Sequence, residues 1–185
     1  MIVKPSQIGQ ADELSVKSLV YFIIELEKLF KRIGECLLSA NETVSTAESV
    51  TSGFLQFSFS QMKDASRFFK GGLTAYTLEE KVNLLQVNPH EAKEHNCVSP
   101  HIAETMALHA AERFNTDWGI GVTGYATPVE ESNGKLFAYF AISYRGNIIL
   151  SEKLDLHSRT KPINAQLYYS EFILGCFKLE LDKHR

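Results

Sequence analysis

Helix-patterned and strand-patterned stretches alternate along most of this 185-residue chain until two strand patterns follow each other around Arg145-Gly146-Asn147. Residues 43–47 read as a strand, and helix-spaced Phe54, Leu55, Phe57 and Phe59 place a helix over 53–61. A short helix from Asp64 to Phe69 is broken by Gly71-Gly72; a strand over 73–77 and a helix over 78–85 follow. Ser99-Pro100 starts a further helix, with the hydroxyl at the N-cap and proline at the first turn. Residues 118–123 are a glycine-punctuated strand, 136–144 and 148–154 form the hairpin, and a helix over 163–181 closes the chain, with Pro162 near its first turn. Strands joined through helices pair in parallel with helices on both faces, whereas a tight hairpin is antiparallel. The expected fold class is therefore α/β: a three-layer α/β/α sandwich around a mixed, mostly parallel five-stranded sheet.

The strongest helix pattern precedes the first strand. Over residues 12–38, Leu19, Ile23, Leu26 and Phe30 recur on one face, and Asn41 is placed to end the helix. Ser15 or Ser18 can cap its start, and residues 1–10, with Pro5 and Gly9, read as a loose lead-in. Val20, Phe22 and Ile24 lie off the main face, a second apolar side that could support a homo-oligomer.

Charge and cysteine usage narrow the partners. A net charge of −3 disfavours non-specific binding to nucleic acid or to an anionic membrane, so neither is expected. The apolar run over 19–24 is too short to span a bilayer, and the first fifteen residues lack a secretory pattern. Cys36, Cys97 and Cys176 are odd in number and far apart, which points to a reducing, cytoplasmic setting. His90, His95 and Cys97 sit in a polar connection without metal-ligand spacing, and no metal is expected.

Chemistry concentrates between Thr46 and Lys81. Ser49, Thr51 and Ser52 occupy a turn between strand and helix, where hydroxyls and free backbone N–H groups can hold a nucleophile or a phosphate. The same residues could serve only as a helix cap. Gly71-Gly72 permits close backbone approach or a tight turn, and Thr123-Gly124 ends a strand where open sheets bind ligands. Tyr76 is equally readable as a core aromatic, and Lys81 by itself as a solvated lysine.

Four ordered blocks turn these residues into a family resemblance. Thr46-Ala47-Glu48-Ser49-Val50-Thr51-Ser52-Gly53 resembles T-A-E-S-C-T-G-G of the CinA C-terminal domain and its stand-alone relatives, the nicotinamide-nucleotide amidases. The run from Phe69 to Lys81 is similar to that family's F-x-G-G-x-x-A-Y-S-N-E-A-K. His95-Asn96-Cys97-Val98-Ser99 resembles H-G-A-V-S, and Val122-Thr123-Gly124-Tyr125-Ala126-Thr127-Pro128 resembles V-T-G-I-A-G-P. The resemblance implies one CinA C-terminal-like domain over residues 1–185 with a helical extension over about 10–38, and no room for the larger N-terminal domain of many relatives. It implies deamidation of nicotinamide mononucleotide to nicotinate mononucleotide and ammonia, with no cofactor and a pyridine nucleotide as the small-molecule partner.

The resemblance makes Ser49 the nucleophile and Lys81 its base, the latter needing a lowered pKa to accept the proton. Tyr76 would relay a proton or protonate the departing ammonia. Backbone N–H groups around 50–53 would form an oxyanion hole. Glu48 would orient Lys81 or a ribose hydroxyl; Thr51, Ser52, Gly53, Gly72, Thr123 and Gly124 would contact substrate, and Arg159 would clamp its phosphate. Departures concentrate in the loops: Val50 for cysteine, Ser52 for glycine, and Val129-Glu130-Glu131-Ser132-Asn133 where the family is glycine-rich. They leave open an alternative, a catalytically impaired nucleotide-binding or regulatory relative.

Overall fold

The computed structural model describes residues 13–184, with side chains described from residue 24 onward. The lead-in over 1–10 lies outside those described residues, as do the side chains of Leu19, Val20, Phe22 and Ile23; the first helix already begins at Glu13, so neither Ser15 nor Ser18 caps its start. Helix α1 (Glu13–Ala40) buries Ile33, Cys36 and Leu37, with Leu29 and Phe30 partly covered on the same side. Asn41, at φ 54, ends it, and the Glu42 N–H reaches back to the Leu37 carbonyl.

From there the chain builds β1 (Val44–Glu48), α2 (Phe54–Ser60), α3 (Ala65–Phe68), β2 (Phe69–Thr74), α4 (Leu78–Leu85), α5 (Pro89–Glu94), α6 (Pro100–Phe114), β3 (Trp118–Gly124), β4 (Leu136–Tyr144), β5 (Asn147–Leu156) and α7 (Pro162–Lys183). The sheet order is β2-β1-β3-β4-β5. Strand β1 pairs in parallel with both β2 and β3, while β4 runs antiparallel to β3 and β5, so it is the one reversed member. Arg145 and Gly146, both at positive φ, form the two-residue turn of the hairpin.

The sheet separates two apolar layers. Trp118, Ile120 and Val122 of β3 face a core shared with Ile33 and Leu37 of α1, Leu55 and Phe59 of α2, and Ile173 and Phe177 of α7. Full burial of each such side chain stabilises by about 1.5–3 kcal/mol. On the opposite face, Ala47, Leu85, Ile102, Met106 and Ala110 form the second core. Helix α6 lies unusually close to β3. A Cβ built on Gly121 would sit 2.2 Å from the Ala103 carbonyl oxygen, and one on Gly119 would sit 2.1 Å from that of Ala107. The glycines of the 118–123 pattern are therefore the contact surface for an alanine-faced helix.

Two expectations change. Strand β2 begins four residues earlier than the pattern suggested, so Gly71 and Gly72 lie within it rather than before it. Their bareness is used there: a Cβ on Gly72 would meet Thr46 Oγ1 at 2.3 Å, and one on Gly71 would meet Phe114 at 2.8 Å. Helix α5 is an addition, because Asn88-Pro89 is a helix start and not only the end of α4. The Asn88 side chain accepts from the His90 and Glu91 N–H groups, with proline in the first turn.

Candidate active site

The chain connection from β1 through α2 to β2 covers one face of the sheet, and the connection from β2 through α6 to β3 covers the other. The carboxyl ends of β1 and β3 thus flank a topological switch point, where open α/β sheets form ligand crevices. A cavity of about 700 Å³ opens there. Its wall includes Ser49 and Val50 after β1, Thr123 and Gly124 at the end of β3, and Lys81 from α4. That volume falls in the range of roughly 300–1,000 Å³ typical of small-molecule sites.

Ser49 is held at the end of β1 by its N–H, which donates to the Val122 carbonyl at 3.1 Å. Lys81, in the first turn of α4, is carried inward because Thr77 caps that helix and accepts from the Glu80 N–H. Its Nζ lies 2.9 Å from Ser49 Oγ, 2.9 Å from the Ala75 carbonyl oxygen and 3.3 Å from that of Tyr76. The lysine is 1% exposed, and burial pushes its pKa below the ordinary lysine value, partly opposed by the nearby Cys97 thiol.

That cage fixes where the protons go. A carbonyl oxygen can only accept, so two N–H groups of Lys81 are committed to Ala75 and Tyr76. The third position points at Ser49 and carries a proton when the lysine is charged or a lone pair when it is neutral. Lowering the pKa favours the lone pair, and the serine hydroxyl then donates to the amine. Arranged this way, a buried amine can take a proton from an alcohol.

The turn after Ser49 is set by Glu48, which is fully buried. Its carboxylate accepts from the Thr51 hydroxyl at 2.7 Å and from the N–H groups of Gly53, Leu55 and Gln56 at 2.9, 3.1 and 2.8 Å. Glu48 is thus committed to the start of α2 and contacts neither Lys81 nor the cavity, a correction to its expected role. Thr51 and Gly53 are spent on the same carboxylate, so neither contacts substrate with those groups. Ser52, at φ 50, donates to the Ser49 carbonyl at 3.3 Å. The N–H groups of Val50 and Thr51 have no acceptor among the described residues; Val50 lines the cavity beside Ser49, whereas Thr51 is fully buried and off its wall.

The remaining expected residues divide. Tyr76 lines the cavity with a side chain 70% exposed, and its carbonyl holds Lys81. Thr123 lines it too, its hydroxyl donating to the Cys97 carbonyl at 2.7 Å, and Gly124 follows. Gly72 is packed inside the sheet against Thr46 and does not reach the cavity. Arg159 sits on the exposed turn between β5 and α7, outside the cavity wall. The cation on the rim is Lys93 of α5, and the carboxylate is Glu131 of the altered loop.

Sequence reasoning did not single out Lys93, Cys97 or Gln166 as site residues. Cys97 and Asn96 are consecutive residues at positive φ, 64 and 49, and the glycine of the family's H-G-A-V-S stands where Asn96 does. That glycine was the available signal for a left-handed turn placing the next side chain beside Lys81. No described helix is long and apolar enough to cross a membrane.

The profile of the CinA C-terminal domain matches residues 26–170. The chain belongs to the CinA C-terminal domain family. A CinA-like protein of Picosynechococcus is 35% identical over 134 residues, 72% of this chain and 32% of that protein. A CinA-like protein of Nostoc is 34% identical over 175 residues, covering 92% of this chain and 41% of its own. The chain spans 26% to 32% of the length of three such CinA-like relatives. A crystal structure of a CinA superfamily protein from Klebsiella pneumoniae superposes with a TM-score of 0.78 at 23% identity, over 85% of this chain and 98% of that one. The CinA fold is thereby shared, mixed sheet included.

Proposed function

We propose that this CinA-family chain is an amidohydrolase that converts nicotinamide mononucleotide to nicotinate mononucleotide and ammonia. The observation that carries the reading is the 2.9 Å approach of a buried, pKa-lowered Lys81 amine to Ser49 Oγ on the floor of an open cavity. A Ser–Lys pair needs nothing further to activate the alcohol.

The steps follow from the proton positions. Neutral Lys81 takes the Ser49 proton as Oγ attacks the carboxamide carbon, and the oxygen that becomes negative is placed toward the Val50 N–H group. One such donor is worth roughly 10²–10³ in turnover. The ammonium form of Lys81 then returns its proton to the leaving nitrogen, and ammonia departs. Water, deprotonated by the same amine, splits the Ser49 ester to release the acid. Tyr76, at the cavity wall, offers its ring to the pyridinium and its hydroxyl to the departing nitrogen, while Lys93 faces the phosphate.

Purified protein incubated with the nucleotide is expected to release ammonia, and Ser49→Ala to slow release by at least about 10³-fold. A folded wild-type protein that releases none would remove the reading. The altered loop over 125–133, several of whose residues line the cavity, motivates one alternative, a nucleotide-binding relative without turnover. Calorimetric binding without ammonia release would select it.

A further inference from the structure

Resting on the amidohydrolase reading, we infer that Gln166 is the residue that makes this site prefer a carboxamide over an ester of the same acid. Gln166 lies near the start of α7 and lines the cavity. Its Nε2 donates to the Val50 carbonyl oxygen at 3.1 Å and to Ser52 Oγ at 3.4 Å, the two residues on either side of Thr51 in the turn that follows Ser49. The Val50 carbonyl can only accept, so the orientation of the Gln166 amide is not arbitrary: nitrogen faces the turn. Both N–H groups are committed, and Oε1 has no partner among the described residues.

Several carbonyl oxygens around the nucleophile already accept one hydrogen bond each, whereas Gln166 Oε1 accepts none among the described residues. Those of Ala75 and Tyr76 accept from Lys81, that of Cys97 accepts from Thr123, and that of Val50 accepts from Gln166 itself. A carboxamide entering the cavity brings two N–H donors that lose water, and each needs an acceptor. Gln166 Oε1 supplies one beside the nucleophilic turn. An ester brings no N–H and leaves that acceptor unpaired, which is the arrangement by which a site rejects an analogue lacking a hydrogen-bonding group. The same side chain, held by the turn, also fixes the distance between α7 and the nucleophile.

The test compares nicotinamide mononucleotide with the methyl ester of nicotinate mononucleotide on wild-type protein and on Gln166→Met. The expected result is a fall in kcat/KM for the amide about 10-fold larger than the fall for the ester, as loss of one hydrogen bond to that acceptor requires. Equal falls for both substrates would mean that Gln166 only positions the turn, and would overturn the inference. Should Gln166→Met fail to fold, calorimetry on Ser49→Ala decides the matter, since that protein binds without turnover. The amide is expected to bind more tightly than the ester, and equal affinities would overturn the assignment. A wild-type protein that turns over neither compound would instead remove the amidohydrolase reading on which it rests.

Discussion

At the scale of single residues, the account depends on the protonation of one amine. Lys81 is desolvated among apolar neighbours and bonded to two carbonyls, and Cys97 is the charge partner it feels. Turnover should therefore rise with pH along an acid limb whose midpoint lies below the ordinary lysine value of 10.5. Lys81→Met should lower kcat/KM by about 10²–10⁴-fold and abolish the limb. The other ionisable groups on the cavity wall are Cys97, Lys93, Glu131, Tyr76 and Tyr125. A limb that vanished in Cys97→Ala would belong to the thiol instead. Stability carries the same signature. Between the lowered pKa of folded Lys81 and about 10.4 in the unfolded chain, the unfolded state holds the lysine proton that the folded state has lost, so the contribution of Lys81 to stability grows with rising pH across that window. Urea titrations of wild type and Lys81→Met at a series of pH values should show that gain only in the wild type. The rim cation offers a second residue-scale test. Lys93→Met should raise KM for the phosphorylated substrate about 10-fold with kcat little changed, as expected for loss of one charged hydrogen bond, whereas Arg159→Met should alter neither.

At the scale of elements, the turn carrying Ser49, the proposed nucleophile, leads into a helix too short to hold itself. Helix α2 has seven residues, and isolated helices of that length are not stable in water. The Glu48 carboxylate supplies what its start lacks, taking three N–H groups and the Thr51 hydroxyl at once. Glu48→Gln keeps the shape but turns an amide N–H toward donors. It should lower stability by about 2–3 kcal/mol, read as a fall in the urea midpoint at constant slope, and slow turnover through displacement of Ser49. The block T-A-E-S was legible in the sequence as a place for chemistry, yet the glutamate was assigned to substrate or lysine. Spacing alone could not show that its side chain folds back over residues 53–56. The same limit explains β2. Glycine at 71 and 72 reads locally as a break, and only pairing with Ser45 and Thr46 of β1, distant in sequence, makes it a strand.

At the scale of the whole molecule, the sheet decides what meets what. The alternation of patterns and the hairpin at Arg145-Gly146 were enough to expect a mixed sheet with one reversed strand, because connection length constrains strand direction. The pairing of Ser49 with Lys81 was legible only through the family blocks, since the two residues are 32 apart and nothing in their spacing brings them together. Gln166 was not legible at all. It reaches Val50 across 116 residues, from a helix whose pattern records packing against the sheet and not what its first turn faces. Lys93 was hidden for a related reason, since helix α5 went unread and its face had no place in the expected site. The fold places all of these at the carboxyl ends of β1 and β3, and the chemistry proposed there predicts a covalent intermediate. Rapid quenching of the protein during turnover of nicotinamide mononucleotide, followed by peptide mass spectrometry, tests this most directly. The account predicts a nicotinate-nucleotide acyl group on the peptide carrying Ser49, absent from Ser49→Ala; an acyl group on Cys97 instead, or undiminished turnover by Ser49→Ala, would contradict it.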